Sequence, residues 1–225
     1  FQDTLYIRAF VSSLLNALIA TLLCLLIGYP MALGITRVSK SWRNILLMLV
    51  ILPFWSNSLV RIFSWAIVLR GNGVLDLGLS ALLPGDVKLG LMFSQSAITI
   101  GLVHSYLPYV ILTAYLALQA IDDSLIEAAR SLGAPKRTIL FRLLIPLSAP
   151  GLIAGAVLVF VPVVGSFMEP RILGGKVGTY YGTAIEDQFV AVFNWPLGAA
   201  LSFILLAVVL LILGLASPML KRARI

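Results

Sequence analysis

Few residues in this chain are of a type that does chemistry. One Cys and one His among 225 residues rule out an internal disulfide and leave no metal cluster or Cys/His nucleophile pair to assemble. Cys24 lies in an apolar run and reads as core. His104 reads more readily as a satisfied buried residue than as a ligand, although an ionisable group at that depth is also a pathway candidate. No Gly-Lys-Ser/Thr phosphate loop is present, so ATP is not bound by that means. What remains is carboxylates and aromatic rings, side-chain types that hold ammonium groups and apolar stems. The candidates are Trp55, Asn57, Trp65, Tyr106, Tyr109 and Glu169, with Glu186 and Asp187 further along. Glu169 is the preferred acidic contact. Arg171, two residues on, offers it an ordinary local ion pair instead, and Trp and Tyr collect at membrane interfaces in any case. Arg61 has two readings as well: it can snorkel to headgroups, or it can face a pathway, where it would repel a cation and favour an anionic or zwitterionic solute.

A second group, residues 122–146, forms a polar stretch between apolar ones. Ser124-Leu125-Ile126-Glu127 has capping-box spacing, and Asp122 and Asp123 sit where a helix N-terminus favours negative charge. A helix is therefore expected to start near Ser124. Gly133 can supply the left-handed residue that ends it, and Pro135 suits the first turn of a following helix that carries Lys136, Arg137 and Arg142 before Pro146. Ala128 and Ala129 let another backbone come close, which fits a docking surface, although Ala is also the best helix former. Glu127 has capping of its own helix as a plain role.

The elements that must position these groups are membrane spans. A composition 60% hydrophobic and 11% charged, with a mean hydropathy of +1.06, excludes an ordinary soluble domain. Five apolar segments, about 10–35, 45–69, 97–118, 151–167 and 196–215, reach or approach the ~20 residues that cross a bilayer as helix. Alternation at period two is absent, so a barrel is not expected. Pro30, Pro53, Pro108 and Pro162 fall inside the spans and predict bent helices. Arg37, Lys40 and Arg43, then Arg130, Lys136, Arg137 and Arg142, then Lys221, Arg222 and Arg224 lie on one side. Arg8, Arg61, Arg70, Lys88, Arg171 and Lys176 lie elsewhere with Asp3, Asp76, Asp86, Glu169, Glu186 and Asp187. The positive-inside rule puts the first set, and the C-terminus, in the cytoplasm. The net charge of +7 is then topology and lipid headgroup contact, with no nucleic-acid site. Residues 71–91 read as an external loop or shallow helix.

Glu127-Ala128-Ala129, three residues, Gly133, nine residues and Leu143-Leu144-Ile145-Pro146 resemble the "EAA" loop of bacterial ABC importer permeases. Leu143 and Ile145 are apolar exchanges within that pattern. In such permeases the loop is a coupling helix docked on a cytoplasmic ATPase, and the resemblance assigns Ser124, Glu127, Ala128, Ala129, Arg130 and Gly133 to it. Gly28-Tyr29-Pro30-Met31-Ala32, the run from Pro53 to Arg61, and Asn194-Trp195-Pro196-Leu197-Gly198-Ala199-Ala200 are similar to the spermidine/putrescine permease family, to its first, B-type, membrane subunit. That branch also includes permeases for opines and other small organic solutes.

The resemblance implies an all-α type I importer permease fold in one transmembrane domain over 1–225, in the bacterial inner membrane. It implies a sixth span ahead of residue 1, since such permeases have six helices with both ends inside. The implied partners are a second homologous permease, two ATP-binding subunits that carry ATP and Mg, and a periplasmic solute-binding protein, with no cofactor on this chain. A self-sufficient secondary carrier is the competing class. The absence of an inverted repeat and the scarcity of embedded acids speak against it.

Overall fold

The computed structural model describes residues 4–82, 89–177 and 179–222, without the side chains of 79, 82 and 215–222. Asp3, Asp86, Lys88 and Arg224, and the side chains of Lys221 and Arg222, lie outside the described residues. Helices make up the described chain, with no strand among them: α1 (Thr4–Arg37), α2 (Lys40–Ile51), α3 (Ser58–Leu69), α4 (Val74–Leu82), α5 (Gln95–Gln119), α6 (Asp123–Ser131), α7 (Lys136–Thr138), α8 (Ile145–Val164), α9 (Tyr181–Val190) and α10 (Trp195–Arg222). Wide π-helical turns occupy Ile139–Leu144 and Pro170–Gly174.

Among the described residues four helical stretches are long and apolar enough to cross a membrane: Thr4–Arg37, Gln95–Gln119, Lys136–Val164 and Trp195–Gly214. The expected span at 45–69 is not a single rod. It is α2 and α3, bent by 96° at the break between them. The cause is local: Pro53, inside a 3-10 turn at Leu52–Trp55, supplies no N–H for the helix ladder, and Asn57 restarts the helix by accepting the Leu59 N–H at 2.8 Å. Pro30 and Pro108 lie inside α1 and α5 without ending them. The expected loop at 71–91 contains α4, whose Asp76 is buried and accepts the N–H groups of Asn72 at 3.0 Å and Leu89 at 3.2 Å.

The chain divides into two compact units, one drawn from 1–20, 54–105 and 160–207, the other from 21–53, 106–159 and 208–225. The first is tied by polar groups. Gln95 donates to Asn16 at 3.0 Å and accepts from the Tyr180 hydroxyl, while Thr99 reaches the same Asn16 oxygen at 3.3 Å. The Tyr181 N–H donates to Ser13 at 2.8 Å, and its ring meets Phe10 edge-on at 5.0 Å. In hydrocarbon such groups must find partners within the protein.

The second unit has an apolar core of Tyr29, Ala32 and Ile35 from α1, Ile111, Ala114, Tyr115 and Leu118 from α5, and Ile139 and Leu144. Here α8 meets α5 at backbone distance. A Cβ on Gly151 would lie 2.4 Å from Ala117 Cβ and 2.6 Å from the Thr113 carbonyl oxygen, and one on Gly155 would lie 2.5 Å from Thr113 Oγ1. This is the small-residue packing that lets membrane helices approach closely.

Replacing Gly155 by Leu should therefore destabilise the purified protein by roughly 1–3 kcal/mol through overpacking. Gly34→Ala, where an added Cβ meets nothing within 4 Å, should be neutral or slightly stabilising. Thermal unfolding in detergent separates the two, and a Gly155→Leu protein as stable as the parent would refute the tight contact.

Candidate functional site

The cap of the polar hairpin lies two residues earlier than its sequence suggests. Asp122, not Ser124, is the cap of α6: its carboxylate accepts the Ser124 N–H at 2.9 Å. That bond holds the Asp122 carboxyl below the usual carboxylate range. A charged acceptor at the positive end of a helix outcompetes a hydroxyl two residues on. At the other end Gly133 takes φ +75°. The Ala134 N–H donates to Ala129 at 3.0 Å and the Gly133 N–H to Arg130 at 2.9 Å, the paired bonds of a Schellman stop. Pro135 precedes α7 as its cap rather than lying in its first turn.

Helical spacing gives α6 two faces. Asp123, Ile126, Glu127 and Arg130 line a cavity of about 430 Å³ together with Leu33, Thr36 and Arg37 of α1, Leu118 of α5, and Lys136, Ile139 and Leu144. Close by, Arg43 donates to the Thr36 carbonyl at 2.9 Å and so satisfies one of the last acceptors of α1. The opposite face of α6 carries Leu125, Ala128 and Leu132, all exposed, Leu132 at 88%. Ser124 is exposed as well, whereas Ala129 is half-buried and packs on the core. The two leucines were missed in the sequence as contact residues. Their signal was present, an i, i+3, i+7 apolar series of Leu125, Ala128 and Leu132 on the face away from Ile126.

The candidate pathway residues pair locally. Trp55 is 83% exposed. Asn57 spends its side-chain oxygen on the α3 cap. The Arg61 guanidinium lies 6.0 Å from the centre of the Phe54 ring, at the outer limit of a cation–π contact. Trp65 meets His104 edge-on at 5.3 Å, and Tyr106 stacks with Tyr109 at 6.1 Å.

Glu169 is buried, at 7% exposure, and accepts from the Ser166 hydroxyl. Arg171 pairs with Glu186 and Asp187 instead of Glu169, and the bond to Asp187, ahead of that to Glu186, keeps its guanidinium even more firmly protonated than usual. The local ion pair that competed with a pathway role for Glu169 is thus made elsewhere. Residues 15 and 16 positions away won it, a choice fixed by α9 rather than by neighbours in sequence. Among the described residues no group of His, Cys, Asp and Glu could hold a metal ion.

Comparison with known proteins gives the family and the fold. The family described as binding-protein-dependent transport system inner membrane component matches residues 24–223. The chain is 40% identical over 223 residues to the spermidine/putrescine transport system permease protein PotB of Escherichia coli (strain K12), covering 98% of this chain and 81% of that protein. It is 30% identical over 216 residues to the inner membrane ABC transporter permease protein YdcU of the same organism, covering 91% and 68%. Among solved structures, a bacterial ABC transporter involved in import of the acidic polysaccharide alginate superposes with a TM-score of 0.77 at 22% identity, covering 99% of this chain and 81% of that one. The inward-facing MetNI methionine ABC transporter gives 0.69 at 20% identity, covering 97% and 96%. At those identities the likeness establishes the fold, which is the type I ABC importer permease fold expected from the sequence. With its apolar spans, its polar hairpin and this match over nearly its whole length, the chain belongs to the binding-protein-dependent transport system inner membrane components, the multi-pass permease subunits of ABC transporters.

Proposed function

We propose that this permease imports a small organic cation of the putrescine/spermidine class. The observation that carries the reading is the 40% identity to a spermidine/putrescine permease over 98% of the chain. The freedom of Glu169 from Arg171 supports it, because a buried carboxylate bonded only to a hydroxyl among the described residues can offer its charge to an ammonium group. In this reading Glu169 receives an ammonium end. Trp55, Trp65, Tyr106 and Tyr109 offer aromatic faces along the way, and Asn57 and Arg61 shape the bend beside them.

The chain works beside a second homologous permease, two ATP-binding subunits that carry ATP and Mg, and a periplasmic solute-binding protein. Its hairpin and C-terminus face the cytoplasm, since most of the basic residues of the loops lie on that side. One transmembrane domain spans 1–225. Closure of the ATPase halves around ATP pushes the hairpin of Ser124, Glu127, Ala128, Ala129, Arg130 and Gly133, and the spans open the path toward the loaded binding protein; hydrolysis resets them. On the hairpin the apolar face of Leu125, Ala128 and Leu132 provides the buried contact. Glu127 and Arg130, exposed on the cavity-lining face, provide charged contacts from the other side of the helix.

Vesicles holding the permease with its ATPase, second permease and binding protein should take up labelled putrescine and spermidine, and vesicles lacking any one of them should not. Competition by opines in place of polyamines would change the cargo, and uptake by this chain alone would overturn the class. Glu169→Gln should lower uptake kcat/KM by roughly 10–100-fold, the worth of a hydrogen bond to a charged group, with assembly intact; wild-type transport by that variant would remove Glu169 from the path. Leu132→Asp should abolish co-purification of the ATPase while membrane insertion persists, and an intact complex would exclude the apolar face as the docking surface.

A further inference from the structure

Along the chain the hairpin joins α8 through Ile139–Leu144, a turn wider than an α-helix. At its end the Ile145 N–H donates to the carbonyl of Leu140, five residues back, where an α-helix would use Phe141. The sequence supplies the cause. In α geometry the ring of Pro146 would press on the carbonyl of Arg142, four residues back, and a wider turn carries that carbonyl out of its way.

The surroundings let this segment adopt more than one register. Its ends, Ile139 and Leu144, are buried in the core of their unit. In its middle Phe141 and Arg142 are exposed, while Leu140 and Leu143 pack partly buried on the same core, so a change of winding there re-seats two leucines and leaves the exposed pair free to move. Just beyond, the buried Ser148 hydroxyl lies 2.6 Å from the Leu144 carbonyl oxygen and 3.4 Å from that of Ile145. The Tyr29 hydroxyl, 3.2 Å away, is a third partner, so this hydroxyl has acceptors on two successive carbonyls and on α1. Downstream, Gly151 and Gly155 hold α8 against α5 at backbone distance, so α8 does not turn freely on its neighbour.

We propose that Ile139–Leu144 is an axial joint that lets the hairpin turn about the helix axis while α8 stays packed on α5. The wide turn is the resting register, because the alternative brings back the proline clash. Load on the hairpin drives the joint toward α winding, and a shift of one residue in register amounts to about 100° of rotation and about 1.5 Å of rise. The joint rests on the proposed contact between hairpin and ATPase.

The test uses the complete transporter in lipid nanodiscs, with spin labels on exposed positions in a Cys24→Ala background. A Ser131–Leu158 pair spans the joint; a Leu116–Leu158 pair reports α5 against α8. Between the nucleotide-free and nucleotide-trapped states the first distance should change by more than about 3 Å, twice the rise of one residue, and the second should not. Deleting Phe141, which closes the wide turn by one residue, should freeze the first distance and reduce uptake at least about tenfold, one residue of register being about 100°. Pro146→Ala, which removes the clash without changing length, should show the trapped-state distance before nucleotide is added. An unchanged first distance in the parent, equal shifts in both pairs, or full uptake after the deletion would overturn the joint. A parent chain that binds no ATPase would overturn the coupling reading and the joint together, whereas a parent that binds ATPase with its first distance unmoved overturns the joint alone.

Discussion

In hydrocarbon an unpaired amide costs several kcal/mol, and this chain places eleven prolines in a sequence built to cross it. How each missing N–H is accommodated shapes much of the structure. Pro30 and Pro108 are absorbed inside long helices. At Pro53 the helix gives way, and Asn57 starts the next one in a new direction. Pro146 is accommodated by a wider turn before it. Pro196 sits in the first turn of α10, where no ladder bond is lost. The same chemical defect thus yields a continuous helix, a sharp bend or a change of winding, according to what stands ready to satisfy the backbone nearby.

Electrostatics are partitioned with similar economy. The acids of α9 hold Arg171 at an exposed position, while Glu169 stays buried with a hydroxyl for company. One guanidinium is thereby kept off the one deeply buried Glu among the described residues. On the hairpin, charges and hydrocarbon are sorted onto opposite faces of a helix of nine residues, so that one element meets a charged cavity on one side and presents bare leucine on the other.

Much of this was legible beforehand, and the gaps have identifiable physics. Hydropathy located the spans because length and apolarity are what a bilayer selects. It could not show that 45–69 turns by 96°, since a window average carries no direction. Gly133 was readable because few other residues take its backbone angle. Ser124 was misjudged because two caps competed, and the carboxylate of Asp122 won. The partner of Arg171 was unreadable: the sequence offers Glu169 nearby, and only tertiary structure delivers Glu186 and Asp187. The network of Asn16, Gln95, Thr99 and Tyr180 joins residues up to 85 positions apart, beyond any local pattern.

Leu132 at 88% exposure, with Leu125 and Phe141 also exposed, has a meaning for the life of the protein in the cell. A contiguous apolar patch outside the bilayer is what chaperones and proteases detect. With the docking proposed above, a copy that has met the ATPase covers those side chains and a copy that has not displays them, which would link abundance of the subunit to its assembly.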